Sequence, residues 1–502
     1  MNVKRSRCMN RRILGGLAAL LLTLPSQAQN DAWRSNPWDD GKGATGIRLA
    51  EASGACAESY GSFVTGGLRS SSEAASAWTA GVRTAAVRHF DRFSAAGSFG
   101  YEQLWGRDMC GSMLIRPGFY PIDVYEFTPG AKVRQTYTMS GRISIDLSPS
   151  WRLGVGTDFQ SANFAKRKDL RHTTYLLDFS VLPGIQYHRG RFAVALNYIL
   201  SKNAETVRAE QIGTKVASYD AFLDKGLYYG QGCSLWTGSG MHLDEAGVDG
   251  LPLSEWLQGG SLQLSQGGLY FGVRSRVRHG KAGEKQRVWY RFDGWDLDAD
   301  VDYRFGAHRL HGSFGFFAQD NDESALEQKT EGGVTTTITI GSNRVFSRSV
   351  AKGSLAYAYT GKDWGLRAEA SLTDREGAAS VMYPYVCVQR LLMPALDAEA
   401  SWTAGCFDLR LSLGWTMGWM DEEGRTVPHA ATPNSSPARL ESYFRRYRDH
   451  MTAQKISVCP GLRWHFTGGL YADASLGWNH GFHLRYLGPD RLCPTLKLGY
   501  NF

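Results

Sequence analysis

The chain has 502 residues, of which 43% are hydrophobic, 21% charged and 12% aromatic, and its formal net charge is +8 at pH 7. A mean hydropathy of −0.32 excludes a bundle of membrane-spanning helices, and the apolar and aromatic content excludes a disordered chain. The 58 glycines and the many aromatic residues indicate an all-β protein with many turns.

Residues 1–28 are predicted to be a secretory signal peptide. An apolar core covers residues 13–24, and Ser26 and Ala28 are small residues at the −3 and −1 positions of a cleavage site. The basic residues that precede this core are Lys4, Arg5, Arg7, Arg11 and Arg12. Cleavage lowers the net charge from +8 to +3, so the basic balance gives no support for binding to nucleic acid.

The cysteines that follow the signal peptide are Cys56, Cys110, Cys233, Cys387, Cys406, Cys459 and Cys493. None forms a C-x-x-C pair, which excludes the usual zinc and redox motifs. Because their number is odd, at least one of them is unpaired within the chain. The sequence does not define which cysteines pair.

Residues 132–147 show the clearest structural pattern, a strict alternation of apolar and polar side chains. Successive side chains of a β-strand point to opposite faces, so this segment predicts a strand with one apolar and one polar face. The apolar face comprises Val133, Tyr137, Met139, Ile143, Ile145 and Leu147. The same alternation recurs in residues 151–159, 175–181, 192–200, 295–305, 364–372, 396–402, 409–415 and 470–478.

These strands predict a transmembrane antiparallel β-barrel rather than a soluble sandwich. Runs of about 10–16 residues exceed the usual globular strand of about 5–6 residues, and tryptophans at strand ends match the aromatic girdles of membrane barrels. Such barrels have an even number of strands. We predict about 14–18 strands, with 16 as the best estimate, and the count is least secure in residues 207–266.

Short and long connections alternate along the chain, as the periplasmic turns and extracellular loops of outer-membrane barrels do. The short connections are predicted at residues 148–150, 188–190, 306–307, 360–362, 404–406 and 467–469. The long ones are predicted at residues 104–130, 203–260, 320–345, 376–393 and 421–450. The predicted organisation is a signal peptide (1–28), a periplasmic segment (29–57) and an outer-membrane barrel (58–502).

Residues 163–171, with the sequence NFAKRKDLR, carry a family resemblance together with the strands around them. They follow the strands that contain Gln135 and Trp151, and they precede a strand that reaches Pro183. This order resembles an uncharacterised family of Gram-negative outer-membrane β-barrels. The resemblance implies a companion of nutrient-uptake systems, with a TonB-dependent transporter as a partner, and it implies no catalytic residues.

The polar faces of the strands supply candidate residues for the wall of the barrel lumen. Asp296, Asp298, Asp300 and Asp302 occupy alternate positions of one strand and therefore share a face. This aspartate stripe predicts either a solvated wall or a surface that attracts cations, and across the turn Arg304 is expected to lie beside Arg309 and Asp302 near His311. The other lumen candidates are Arg134, Arg142, Arg367 and Glu369.

The basic residues Lys166, Arg167, Lys168 and Arg171 are predicted to lie on the extracellular side. There they would contact anionic lipopolysaccharide or neighbouring carboxylates, or they would form a site for an anionic ligand. At the other end of the chain, residues 496–502 alternate and end at Phe502, which resembles the terminal strand that the barrel-assembly machinery recognises.

Three classes of function stay open at this point. We predict a channel or an accessory component of nutrient uptake, located in the outer membrane in contact with lipid and lipopolysaccharide. The alternatives are a structural, adhesive or plugged barrel that acts as the partner of another outer-membrane complex, and a membrane-embedded hydrolase. We find no catalytic, cofactor-binding or metal-binding motif, so the sequence predicts a protein that is not an enzyme and has no cofactor.

Overall fold

A computed structural model describes residues 37–39, 41–49, 53–167, 171–210, 218–236, 250–284, 287–382, 385–425 and 436–502. The predicted signal peptide (1–28), residues 29–36 of the predicted periplasmic segment and Lys168 lie outside the described residues. Of the described chain, none of the helices has the length and apolarity that crossing a membrane requires.

The strands within these residues are β1 (Gly54–Gly66), β2 (Ser76–His89), β3 (Phe93–Ser112), β4 (Asp123–Asp146), β5 (Trp151–Lys166), β6 (Arg171–Arg189), β7 (Phe192–Glu210), β8 (Ser218–Asp224), β9 (Gly230–Trp236), β10 (Leu251–Gln266), β11 (Leu269–Glu284), β12 (Arg287–Phe305), β13 (His308–Glu331), β14 (Val334–Thr360), β15 (Trp364–Met382), β16 (Tyr385–Ala404), β17 (Phe407–Thr416), β18 (Trp419–Glu423), β19 (Gln454–His465), β20 (Leu470–Phe482) and β21 (Asp490–Asn501). Helix α1 covers Ser436–Thr452, and short 3-10 helices cover Pro37–Asp39, Thr45–Arg48 and Thr467–Gly469.

The strands form a closed antiparallel barrel of 18 strands. Each wall strand pairs with the next along the chain, and β1 pairs with β21 to close the ring. Strands β8 and β9 form a hairpin that is not part of the wall, and β18 continues β17 beside β16. The predicted fold class is therefore confirmed, although the best estimate of 16 strands was too low.

The undercount has a physical cause in the first strands. β1 has the sequence GACAESYGSFVTG, in which small residues replace most of the large apolar ones and the alternation is weak. Its pairing with β2 and β21 identifies it as a wall strand all the same. It begins at Gly54, before the predicted boundary of the barrel at residue 58.

All connections at one end of the barrel, which we call the turn end, are short. They cover residues 90–92, 147–150, 190–191, 267–268, 306–307, 361–363, 405–406 and 466–469, and Phe502 pairs with Ala55 at this end. Most of the longer connections lie at the opposite end, the loop end. Two predicted loops there are wrong, because residues 320–345 and 376–393 lie largely within paired strands. β13–β14 extend as a hairpin past the neighbouring strands, and β15–β16 stay paired almost to their connection.

The outer face of the barrel is apolar. Ile143 is 52% exposed and Leu355 is 65% exposed, whereas Arg142 and Ser144 beside Ile143 are buried. Exposed tryptophans lie at both edges of this apolar band, Trp151 and Trp364 toward the turn end and Trp78 toward the loop end. An even-stranded antiparallel barrel with an apolar exterior and a polar interior is the architecture of outer-membrane proteins.

Ile143→Arg is expected to impair assembly of the barrel. A charge on the lipid-facing side at mid-depth costs about 2–4 kcal/mol, and Ile143 lies in the middle of the apolar band. Thr339→Arg is the matched control, because Thr339 is exposed on the part of β14 that extends past β15. Heat-modifiable mobility on gels measures the folded fraction in outer membranes. Equal folded fractions for the two variants would contradict the assignment of the lipid-facing side.

Candidate functional site

Residues 37–39 and 41–49 lie inside the barrel at the turn end, and we call them the turn-end insert. Lys42 forms an ion pair with Asp300 of β12, and Arg48 forms one with Asp146 of β4. Trp38 donates from Nε1 to Ser265 Oγ on β10 at 3.2 Å. Contacts with strands on different sides of the ring place this segment across the interior.

Residues 113–122, which connect β3 to β4, form the loop-end insert. Thr174 Oγ1 on β6 donates to the Met113 carbonyl at 2.7 Å, and Tyr120 donates to Asn203 Oδ1 on β7 at 3.1 Å. On the opposite side, Arg348 of β14 donates to the carbonyls of Gly118 and Phe119 at 2.7 and 2.6 Å. The insert therefore crosses the loop end of the barrel.

The two inserts approach each other within the barrel. A cavity of about 40 Å³ has both Gly41 of the turn-end insert and Phe119 of the loop-end insert in its lining. That volume holds about one water molecule. The chain itself therefore occupies the axis of the barrel.

The β8–β9 hairpin and α1 complete the filling of the loop end. Phe222 of β8 packs with Leu440 and Tyr443 of α1 in one buried cluster. At the tip of the hairpin, Leu227 and Tyr228 have φ angles of 52° and 63°. Left-handed backbone at two successive non-glycine residues costs of order 1–3 kcal/mol each, so the surrounding packing holds this tip in place.

A larger cavity of about 220 Å³ lies between these elements and the inner faces of β13–β16. We call it the loop-end cavity. Its lining includes Arg348 and Arg375 from the wall, Tyr228 from the hairpin tip and Tyr447 from α1. Asp123 of β4 and Asp224 of β8, which lie opposite each other in the strand register, also line this cavity.

The charged groups of the loop-end cavity differ in how they are neutralised. Arg278 donates twice to Glu255, at 2.8 and 2.6 Å. Burial raises the pKa of Asp224 to about 7, although the backbone N–H of Gly226 donates to its carboxylate. Burial, together with the nearby positive charge of Lys455, lowers the pKa of His450 to about 3. His450 is therefore neutral at pH 7.

The aspartate stripe faces the interior, where each carboxylate has a basic partner. Asp296 is fully buried and accepts from Arg276 at 2.9 and 3.2 Å, and Asp298 accepts from Arg274. Asp300 pairs with Lys42 of the turn-end insert. Asp302 accepts from Arg304 at 3.2 Å and from Arg309. The predicted neighbours across the turn, Arg304 with Arg309 and Asp302 with His311, are paired in the register.

The other lumen candidates are also engaged in ion pairs on the inner face. Arg142 donates to Asp158 at 2.8 Å, and Arg134 donates to Glu102 at 3.2 Å. Arg367 pairs with Glu369 two positions along β15. These residues do not form one site. Arg134 and Arg142 lie on β4 with separate partners, whereas Arg367 and Glu369 pair with each other on β15.

The predicted extracellular basic motif does not form a continuous surface. Lys166 is only 3% exposed and faces inward, where it pairs with the buried Glu126 of β4. Arg167 is exposed and Arg171 is half-buried. Lys166 is the last residue of β5, and its burial excludes it from a surface patch that could bind lipopolysaccharide.

Sequence reasoning missed three arginines on β11 that hold the interior together. Arg274, Arg276 and Arg278 pair with Asp298, Asp296 and Glu255. The signal was present, because R-x-R-x-R has the two-residue period of a strand. Arg348 and Arg375 of the loop-end cavity carry no such signal, since one arginine lies on each of two strands.

In the described residues, one serine–histidine pair resembles part of a hydrolase site. In that part of the chain, no group of three or more His, Cys, Asp or Glu side chains is arranged to hold a metal ion. Ser94 Oγ lies 2.9 Å from His89 Nδ1, which is the geometry of a nucleophile and a base. However, Ser94 is only 1% exposed and accepts from Arg48 Nε, so the turn-end insert covers it.

The sequence of the barrel matches a known protein family. Residues 56–502 match the model of a family of unknown function, DUF6850. The chain belongs to that family. The match covers all but the first two residues of the barrel wall, and the predicted membership of an uncharacterised family of such barrels is confirmed. No curated protein matches the chain.

Solved structures with similar folds include receptors, transporters and an outer membrane protein. The ferric enterobactin receptor mutant of Pseudomonas aeruginosa is 8% identical with a TM-score of 0.40, over 90% of this chain and 81% of that one. The FrpB iron transporter of Neisseria meningitidis is 9% identical with a TM-score of 0.43, over 91% and 82%. The outer membrane protein OmpT of Vibrio cholerae is 12% identical with a TM-score of 0.33, over 83% and 99%. At these TM-scores the matches have no bearing on the ligand of this chain.

Proposed function

We propose that the protein is an outer-membrane component of solute uptake whose resting barrel is closed by its own chain. The observation that supports this function is the pair of inserts, which enter from opposite ends and both line one cavity of about 40 Å³. The charged inner wall binds these inserts, for example through Asp300 and Arg348. Uptake then requires movement of the inserts.

The turn-end insert is the better candidate for a movable gate. Its anchors are ion pairs and hydrogen bonds, such as the Arg48–Asp146 ion pair and Ser261 Oγ donating to the Lys42 carbonyl at 2.6 Å. Its apolar contacts are confined to two small clusters, one around Trp38 and one around Ile47. The loop-end insert instead contributes most of its side chains to the largest apolar cluster, with Met113, Leu114, Phe119, Tyr120 and Ile122 buried. Apolar burial of that extent makes the loop-end insert the more stable of the two.

The closed state predicts a low conductance of the full-length barrel in planar bilayers. Deletion of residues 37–49 alone is expected to leave the conductance low, because the loop-end insert still fills the other end. Deletion of residues 37–49 together with replacement of residues 113–122 by a short glycine-serine linker is expected to produce large conductance steps. Shortening the exposed hairpin at residues 328–337 is the control and should change nothing.

A full-length barrel that conducts as well as the doubly altered one would overturn the closed state. A doubly altered barrel that assembles but still does not conduct would favour the structural or adhesive alternative. One observation favours that alternative: β13 and β14 extend as an exposed hairpin past the wall, where residues 334–343 pair only with β13. A TonB-dependent transporter remains a proposed partner, and this exposed hairpin is a surface that such a partner could reach.

A further inference from the structure

We propose that the loop-end cavity binds a small organic anion, with the charged group on β14 and β15 and an apolar, aromatic body against the hairpin tip and α1. This inference deepens the proposed function, since it names the class of solute that the closed barrel captures. It begins with two arginines of the wall that lack an acidic partner.

Arg375 lines the cavity without an ion pair or a hydrogen bond to any other described residue. Arg348 donates only to neutral acceptors, namely two carbonyls of the loop-end insert and Gln319 Oε1 at 2.6 Å. Its Nε is buried and has no hydrogen-bond partner among the described atoms. By contrast, Arg278 in the same lining already has Glu255. Two uncompensated guanidinium groups in one cavity favour a negatively charged ligand.

The strand register places these two arginines side by side. Arg375 pairs with Val350 and Arg348 pairs with Gly377, so the two guanidinium groups occupy diagonal positions on the same inner face of β14 and β15. Diagonal neighbours are within reach of long side chains. Gly377, the register partner of Arg348, has no side chain beside the two arginines. Leu227 of the hairpin tip lies above Gly377, and its Cδ2 atom would be 3.2 Å from a Cβ atom added to that glycine.

The remainder of the lining suits an apolar body. Phe317, Phe346, Tyr228 and Tyr447 contribute aromatic rings, and the guanidinium of Arg348 lies 5.1 Å from the ring centre of Phe317. Pockets for drug-sized ligands have volumes of about 300–1,000 Å³. The loop-end cavity, at about 220 Å³, is smaller and matches a ligand with a single ring.

The acidic residues of the lining determine the orientation of such a ligand. Asp123 and Asp224 lie on the side of the inserts, and backbone N–H groups of Val124 and Gly226 already donate to them. Glu376 is exposed and lies 3.4 Å from Arg390 on the outer face of the wall. An anion is therefore expected to direct its charge away from Asp123 and toward Arg348 and Arg375.

Titration calorimetry with the full-length barrel in detergent tests this inference. Benzoate is the probe, and benzamide is its neutral counterpart of nearly the same shape. Benzoate is expected to bind at least ten-fold more tightly than benzamide. Arg375→Gln is expected to lower the affinity for benzoate at least ten-fold, and Arg375→Lys is expected to retain part of it. Arg390→Gln is the matched control on the neighbouring strand, where Arg390 points outward and pairs with Asp374; its affinity for benzoate should equal that of the wild type.

Several results would overturn the proposal in barrels that keep their heat-modifiable mobility. These are the absence of benzoate binding at 10 mM, equal binding of benzoate and benzamide, or an unchanged affinity in Arg375→Gln. Tighter binding of inorganic phosphate than of benzoate would exclude the aromatic body. Because calorimetry measures binding without passage through the barrel, a failure here leaves the conductance test of the closed state unaffected.

Discussion

Glu126→Gln is expected to lower the free energy of unfolding by about 3–5 kcal/mol, the cost of breaking a buried ion pair from one side. Glu126 is 1% exposed and is the carboxylate shared by Lys132 and Lys166, which are themselves 1% and 3% exposed. His172 Nε2 lies 3.4 Å from Glu126 Oε1, and an imidazole supplies no negative charge to balance the two lysines. Removal of the carboxylate charge leaves two buried ammonium groups without a counter-charge.

Urea titration of the barrel in lipid vesicles measures this loss as a lower midpoint at an unchanged slope. Glu102→Gln is the matched control, because Glu102 is partly exposed in its pair with Arg134 and such pairs contribute about 0–1 kcal/mol. The triple variant Glu126→Gln, Lys132→Met, Lys166→Met should recover most of the stability, since it removes the charges together. A Glu126→Gln midpoint equal to that of Glu102→Gln would show that the three groups are not buried together.

The alternation of apolar and polar side chains along the sequence was sufficient to predict the wall of the barrel. Ile143 and Ile145 on β4, and Leu153 and Val155 on β5, are exposed outward as their alternation requires. The alternation works because the two faces of each strand meet different environments, one apolar and one polar. Where small residues occupy both faces, as in β1, this contrast is weak and the strand escapes detection.

The same alternation of side chains, extended to the end of β5, predicts the orientation of Lys166. On β5 the odd-numbered Trp151, Leu153 and Val155 face outward, so the even-numbered Lys166 must face inward if the strand continues that far. The basic motif was instead predicted to lie on the extracellular side, and β5 in fact continues to Lys166. Lys166 therefore meets a carboxylate, that of Glu126, inside the barrel rather than on its surface, because successive residues of a strand face opposite sides.

The filling of the barrel could not be predicted from local patterns. Lys42 and Asp300 are separated by 258 positions, and Arg348 and Phe119 by 229. Alternation shows that Asp300 and Arg348 face inward, but it does not show whether water or another part of the chain lies opposite them. The loop-end cavity depends on such distant contacts. Only the folded structure shows that Arg348 and Arg375 have no acidic partner among the described residues.

Asp296→Asn is expected to lower the free energy of unfolding by about 3–5 kcal/mol, because it leaves Arg276 buried without its carboxylate. The side chains of Asp296 and Arg276 are 0% and 9% exposed, and they share two hydrogen bonds. Asp293→Asn is the control on the same strand, where the Asp293 side chain is 64% exposed and pairs with the exposed His279. A surface substitution of that kind changes stability by less than about 0.5 kcal/mol.

The comparison of Asp296→Asn with Asp293→Asn and with the wild type also distinguishes the two interpretations of the aspartate stripe. If its carboxylates balance Arg274, Arg276, Arg309 and Lys42, the Asp296→Asn barrel unfolds at a lower urea concentration, and a conducting variant without the inserts shows little change in cation selectivity. If the stripe instead attracts cations, Asp296→Asn unfolds with the wild-type midpoint and the conducting variant loses cation selectivity. The full burial of Asp296 favours the first outcome, because an uncompensated carboxylate at that depth would carry the desolvation cost of a buried charge.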